Sequence, residues 1–277
     1  MLPISSHDKL GMKKTKMKVL VTNDDGIFSR GLWVLVEELK NIAPVVVVAP
    51  DRERSANGTA LTLRQPIRVQ EMTPMVPEVG AYSVEGTPAD SVVLALEKLV
   101  KNEVGLVISG INQGLNLGND VLISGTVGAA LQGYLRGLPS VAISLSSPEN
   151  IYLNNAAKVA ALLAKRICAN PLSADIFLNV NLPDLPLAEI GEVRVTRLAG
   201  ESHIVTVEEK QDGRQKYYWL VRQRTNQSRD DVTDIGAIEQ GNISITPLHA
   251  YLNNKSSGII TDGFCSDLFR ELRQNQE

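Results

Sequence analysis

The segment Asn23-Asp24-Asp25-Gly26 follows directly on the apolar run Val19-Leu20-Val21-Thr22. A β-branched run that stops at two adjacent carboxylates reads as a buried parallel strand with charge at its carboxyl end. In open α/β sheets that edge is where ligands bind. Neighbouring acids repel and resist burial unless positive charge sits between them. A divalent cation meets that need, because hard cations prefer oxygen ligands. The plainer reading is a polar turn with an N-cap, since Asp and Gly are ordinary turn residues.

Three further segments bear on the choice. Pro50-Asp51-Arg52-Glu53-Arg54-Ser55-Ala56-Asn57-Gly58 also follows a strand-like run, Pro44–Ala49, with four consecutive valines. Ser55 can present a hydroxyl oxygen to a metal. Arg52 and Arg54 either approach an anion or pair with Asp51 and Glu53, and alternating charges in a loop favour pairing. Ser109-Gly110-Ile111-Asn112-Gln113-Gly114-Leu115-Asn116-Leu117-Gly118 again follows a strand. Its glycines allow close backbone approach and positive φ, and Asn112 offers a neutral amide oxygen. Its plainer role is turning alone. No GxGxxG pattern follows the first strand, which disfavours a dinucleotide cofactor. Ser124-Gly125-Thr126-Val127-Gly128-Ala129-Ala130 opens a helix. Small residues there expose free N–H groups, and the helix dipole adds partial positive charge, making an anion site without basic residues. Ser124 and Thr126 add hydroxyls. The alternative is an ordinary N-cap with tight packing at Gly128 and Ala129.

Together these parts describe a phosphomonoesterase. Asp24, Asp25, Ser55 and Asn112 hold one divalent ion. Asn112, Ser124, Gly125 and Thr126 hold phosphate oxygens, and Asp24 and Asp25 are the catalytic pair. The expected reaction is in-line attack by a metal-activated water, with Asp24 orienting or deprotonating it and Asp25 a pure ligand. The competing mechanism makes Asp24 the nucleophile. No residue stands out as general acid: His7 lies near the start, and His249 reads as a packing or arm-anchoring residue.

The elements that must position these groups alternate. Strands are expected at Lys18–Thr22, Pro44–Ala49, Val104–Ser109 and Val141–Leu145. Helices are expected at Ser29–Lys40, Ala89–Val100 and Thr126–Leu135, from apolar spacing such as Leu32, Leu35, Val36 and Leu39. This βαβ rhythm implies a doubly wound parallel sheet with right-handed crossovers. Thr62–Val84 breaks the rhythm and reads as a hairpin excursion. Residues 17–150 form the catalytic core. Residues 151–277 complete the sheet, with a helix at Asn155–Ala169, strands at Ile176–Asn181, Val193–Arg197 and Ile243–Pro247, and a final helix at Phe264–Arg273. Residues 203–224 read as an antiparallel pair around Asp212-Gly213. A two-stranded arm with little core of its own usually packs on something, often another subunit.

The totals limit the partners. The chain has 277 residues, 43% hydrophobic and 21% charged, with net charge −3. That balance suits a globular protein with a substantial core and gives no basic excess for polymeric nucleic acid. Cys168 and Cys265 match no metal spacing and read as reduced thiols. No run is long and apolar enough to span a bilayer. Residues 1–16 are polar and lysine-rich, without a secretory core, and read as a disordered extension. Met12 and Met17 are alternative starts. A cytoplasmic location and no membrane partner are expected.

VLVTNDDGI at Val19–Ile27, APDRERS at Ala49–Ser55, GTPAD at Gly86–Asp90, SGINQGLNLG at Ser109–Gly118, SGTVGAA at Ser124–Ala130 and SITPLH at Ser244–His249 resemble the SurE family. These stationary-phase survival proteins act as 5′/3′-nucleotidases. The likeness runs from about Met17 to about residue 250. It implies that Asp24, Asp25, Ser55 and Asn112 bind one divalent cation per subunit, Mn²⁺ or Mg²⁺. It implies hydrolysis of nucleoside 5′-monophosphates, with 3′-nucleotides and short polyphosphate as further substrates. It also implies an α/β fold with a Rossmann-like, mostly parallel sheet and a C-terminal region whose extended arm exchanges between subunits, giving a homodimer or homotetramer. The family often has a cysteine after GTPAD; Ser91 stands here and is expected to be structural. Two rival classes are a non-enzymatic nucleotide or phosphate sensor on the same fold, and a glycosyltransferase-like or aminohydrolase-type enzyme whose acidic pair also holds a metal.

Overall fold

A computed structural model describes residues 17–146, 152–169, 175–200, 203–213, 215–224, 230–250 and 266. The expectations for residues 1–16, for Cys265 and for a helix over Phe264–Arg273 fall outside these residues, Ser266 excepted.

Five strands come from the first half: β1 (Lys18–Thr22), β2 (Val45–Pro50), β3 (Val69–Met72), β4 (Gly80–Val84) and β5 (Val104–Gln113). β6 (Ser140–Leu145), β7 (Phe177–Leu182), β8 (Val193–Val195), β9 (His203–Asp212), β10 (Gln215–Arg224) and β11 (Ile243–Pro247) follow. The helices are α1 (Arg30–Leu39), α2 (Pro88–Leu94), α3 (Gly125–Tyr134), α4 (Leu153–Ala169) and α5 (Asp234–Glu239). Nine strands form one sheet in the order β3-β4-β2-β1-β5-β6-β7-β11-β8, and β9 pairs with β10 as a separate antiparallel hairpin. From β4 to β7 every pairing is parallel; β3 and β11 join antiparallel to β4 and β7. The doubly wound reading therefore holds, and the Thr62–Val84 excursion adds two strands, β3 and β4, to one edge of the sheet.

The core explains why the apolar runs are continuous. Along β1, Val19 and Val21 enter the cluster with α1 and α4, whereas Leu20 enters the one with α2 and Ala129 of α3. The valines of β2 split the same way, Val45 and Val47 against Val46 and Val48. Helices cover both faces, so alternation along the strand is between two apolar layers rather than core and water.

Chain order puts β2 on one side of β1 and β5 on the other. The strand order thus reverses between β1 and β5, and the crevice outside their carboxyl ends is where such a topology places a ligand site. β1 ends at Thr22, just before Asn23-Asp24-Asp25. β5 runs four residues past the expected end, through Gly110 to Gln113, with an irregular register against β6 between Ser109 and Asn112. The expected loop is therefore partly strand, which fixes Asn112 opposite Ser144.

The GTPAD motif has a structural task. Thr87 caps α2 in a reciprocal capping box with Asp90. Asp90 also accepts from the amide and hydroxyl of Thr62 at 2.9 and 2.6 Å, pinning the excursion. Ser91 is buried and donates to the Thr87 carbonyl at 3.1 Å, the structural role expected for it. Gly31 in the first turn of α1 lies so close to β5 that a Cβ would meet the Ile111 carbonyl oxygen at 2.4 Å. Gly31→Ala is expected to cost about 1–3 kcal/mol by forcing helix and strand apart, read as a lowered denaturant midpoint with unchanged slope.

Candidate active site

Asp24 and Asp25 leave β1 on a turn that is braced from within. Asn23 donates to the Gly26 carbonyl at 3.0 Å and to the Ser29 hydroxyl at 2.7 Å. Ser29 in turn caps α1. Gly26 has φ +96°, and a Cβ there would strike the Arg52 backbone at 2.8 Å. The glycine is thus what lets the turn lie against the β2 loop.

Asp24 is 4% exposed and sits on the first turn of α3. The Thr126 hydroxyl donates to its Oδ1 at 2.5 Å, and the Thr126 backbone N–H also donates to the carboxylate. Gly125 permits this contact, since a Cβ there would come within 2.8 Å of both Cβ and Oδ2 of Asp24. The Arg54 amide donates to the Asp24 carbonyl at 2.7 Å. Burial pushes the Asp24 pKa up despite the hydrogen bonds from Thr126, and the charge of Glu53 adds to the rise. Burial likewise pushes Asp25 up to about 7, helped by the charges of Asp24 and Glu53 and opposed by the Gln113 N–H. Asp25 Oδ2 is buried with no hydrogen-bond partner. Two carboxylates held this way, one with an orphaned oxygen, are a stored demand for positive charge.

The other expected residues are placed as follows. Asn112 donates through its Nδ2 to the Gly114 carbonyl at 2.7 Å, which orients its side-chain amide. Ser55 is exposed and donates to Glu53 Oε1 at 2.8 Å. The charge of Glu53 reaches both aspartates, so the loop carrying Ser55 borders the pair. Arg54 and Arg52 both pair with Asp51, at 3.1 and 3.8 Å, whereas Glu53 takes Ser55 instead of an arginine. Ser124 caps α3 by accepting from the Val127 N–H at 3.1 Å, leaving its own proton to donate outward. Thr126 departs from expectation: its hydroxyl and amide both go to Asp24 rather than outward to a phosphate.

Among the described residues no three of His, Cys, Asp and Glu cluster at metal-binding range. A cation here would rest on two carboxylates completed by neutral oxygens. The orphaned Asp25 oxygen, the raised pKa of both acids and an all-oxygen donor set fit a hard divalent ion.

Several residues that shape this site escaped the sequence reading. Asn181 accepts from the Asn116 amide at 2.9 Å, and Asn179 and Asn181 both donate to the Asn116 carbonyl. The Asn116 side chain reaches the Ser144 hydroxyl at 2.9 Å. Asp234, fully buried, accepts from the Gly118 and Ala199 amides, each at 2.8 Å, and burial pushes its pKa up. The available signal was the alternation of Asn179 and Asn181 along an otherwise apolar strand. His249 is exposed.

Fold and site together define a Rossmann-like α/β protein with an acidic oxygen-donor site beside a helix start at the switch point of its sheet. The family model for the survival protein SurE matches residues 19–204. The chain belongs to the SurE family. It is 53% identical over 265 residues to the 5′-nucleotidase SurE of Dehalococcoides mccartyi, covering 94% of this chain and 99% of that one. The 5′-nucleotidase SurE of Vibrio parahaemolyticus is 44% identical over 243 residues, covering 87% and 92%. The crystal structure of the SurE protein from Aquifex aeolicus superposes with a TM-score of 0.74 at 34% identity, covering 94% of this chain and all of that one.

The raised Asp25 pKa predicts a pH dependence of stability. In metal-free protein the folded state keeps a proton that the unfolded chain, with the ordinary value of 3.8, releases earlier. Stability therefore falls as pH rises from about 4 to about 7 and levels off above. Wild type is expected to lose on the order of 2 kcal/mol between pH 5.5 and 8 through this group, and Asp25→Asn to abolish that loss in EDTA-treated samples followed by chemical denaturation. Gly125→Ala is expected to stay folded yet bind Mn²⁺ about tenfold or more weakly, because the new methyl displaces Asp24; calorimetric titration reads it.

Proposed function

We propose that this chain is a metal-dependent 5′-nucleotidase that releases phosphate from nucleoside 5′-monophosphates. The observation that carries the reading is Asp24, buried against the first turn of α3, beside half-buried Asp25 with its orphaned oxygen. The relatives named 5′-nucleotidase SurE support the substrate class. Asp24, Asp25, Ser55 and Asn112 would hold one divalent cation, Mn²⁺ or Mg²⁺. When bound, that ion supplies charge neutralisation at the phosphoryl oxygens and lowers the pKa of water.

The chain's own groups do the rest. The Ser124 hydroxyl, the Gly125 amide and the Asn112 side chain would bind phosphate oxygens at the helix start, where backbone donors and the dipole favour an anion. Thr126 enters through Asp24: its two hydrogen bonds hold that carboxylate in one orientation. Asp24 orients the attacking water in line with the scissile bond and takes its proton. Its position against Gly125 leaves the phosphate and the water on the same small patch, so positioning supplies much of the rate. Asp25, with a free buried oxygen, is a ligand rather than a base.

The assembly we propose is a homodimer or homotetramer using the β9–β10 arm. Register pairs Val207 with Leu220 and Glu209 with Tyr218, so these side chains share a face with Val205. Val205, Val207, Tyr218 and Leu220 are 55–72% exposed, a strip that a second copy would cover. Among the described residues no helix is long and apolar enough to cross a membrane.

Phosphate release from 5′- and 3′-nucleotides, p-nitrophenyl phosphate and short polyphosphate, measured with Mn²⁺, Mg²⁺ or EDTA, tests the reading. EDTA should abolish release, and Asp24→Asn and Asp25→Asn should each lower kcat/KM by about 10²-fold or more. A folded protein that binds nucleotide but turns none over with either ion would leave the sensor class instead.

A further inference from the structure

Asp120 lies in the 3-10 turn Gly118–Leu122, four residues before the cap of α3. Its side chain is only 10% exposed, yet it is gripped by two cationic or donor side chains from the arm. His203 of β9 meets Oδ2 through Nδ1 at 2.7 Å. Arg222 of β10 pairs with Oδ1. Both strands of the hairpin therefore close on one carboxylate. The backbone of Asp120 faces the other way: its carbonyl accepts from the amides of Ile123 and Ser124, each at 3.1 Å. Ser124 caps α3, Gly125 abuts Asp24 and Thr126 orients Asp24. An unbroken path of hydrogen bonds and contacts thus runs from the arm to the acidic pair. Nearby, the Asn119 amide donates to the Gly200 carbonyl at 3.2 Å, so the segment after β8 is tied to the same turn.

We propose that Asp120, clamped by His203 and Arg222, is a positioning residue for the phosphate-binding start of α3, so that the arm's base sets affinity for the phosphoryl group. The inference rests on the reading of Ser124 and Gly125 as phosphate ligands. A buried carboxylate between two donors from different strands has one low-energy place, because moving it leaves charge unpaired. Its carbonyl therefore holds the Ser124 amide in place at the start of α3. Removing the clamp lets the turn relax without touching the metal ligands. The expected signature is weaker phosphate binding with metal binding intact.

The test uses the full chain and three readouts: KM and kcat for a nucleoside 5′-monophosphate, binding of inorganic phosphate by calorimetry, and binding of Mn²⁺ alone. Asp120→Asn and Arg222→Met are expected to raise KM and the phosphate Kd about tenfold, the loss of one charge-assisted hydrogen bond. Kd for Mn²⁺ should change by less than about twofold, because the clamp touches none of the carboxylate ligands. Arg222→Lys and His203→Asn keep a donor facing Asp120 and should recover most of the phosphate affinity. Where Asp120→Asn fails to fold, the Arg222→Met and Arg222→Lys pair decides. Unchanged phosphate affinity with a lowered Tm would reduce the clamp to a structural brace and overturn the proposal, as would Mn²⁺ and phosphate affinities falling together. If wild type binds phosphate but hydrolyses no nucleotide, the nucleotidase reading fails. The phosphate Kd of the same variants then still decides whether the clamp positions the helix start.

Discussion

Two adjacent carboxylates taken out of water at the end of a buried strand set the terms for the rest of this structure. Neither can ionise cheaply where it sits, and burial drives both pKa values up. The fold keeps them there by spending ordinary interactions on them. Thr126 gives Asp24 two hydrogen bonds, Gln113 gives Asp25 one, and three glycines at 26, 31 and 125 remove the side chains that would prevent close approach. The constraint is burial and local repulsion, and under the proposed function a divalent ion relieves it. On that reading, burial that would be a defect in a structural protein favours a hard divalent cation.

The sheet topology makes this arrangement accessible. With β2 and β5 on opposite sides of β1, the crevice beyond their carboxyl ends opens beside the acidic pair. The α3 start packs against Asp24, and the loop after β2 packs against the same turn at Gly26. Gly58, whose amide donates to the Ile123 carbonyl at 2.9 Å, ties the loop to the segment leading into α3. Phosphate chemistry needs positioning and charge more than covalent participation, and a site of backbone donors, two acids and neutral oxygens provides both.

Much of the architecture was readable in the residues because the relevant physics is local. The valine run of β2, the Leu32-Leu35-Val36-Leu39 spacing of α1 and the Asp212-Gly213 turn each carry their element in a few consecutive positions. The acidic pair and the capping Ser124 were legible for the same reason. What was not legible depends on partners far away in sequence. Thr126 looked like a phosphate donor, but its hydroxyl serves Asp24, 102 positions earlier. Asp234 anchors Gly118 across 116 positions and Asp120 meets His203 across 83. No local pattern marks such pairs. The extension of β5 through Gly110 to Gln113 was also hidden, since glycines argue for a loop and only pairing with β6 overrides that preference.

The measurement that bears most directly on this account is proton release on cation binding. Mn²⁺ titrated calorimetrically into metal-free protein, in buffers of different ionisation enthalpy, reports the protons displaced per ion. An acid with a pKa near 7 in the free protein and ionised when liganded must surrender a proton at pH 6 and almost none at pH 8. At least one proton per ion is expected at pH 6, with the Asp25 share falling as pH rises and about one proton fewer released in Asp25→Asn. Binding that releases no proton at pH 6, or that is unaffected by Asp25→Asn, would contradict it.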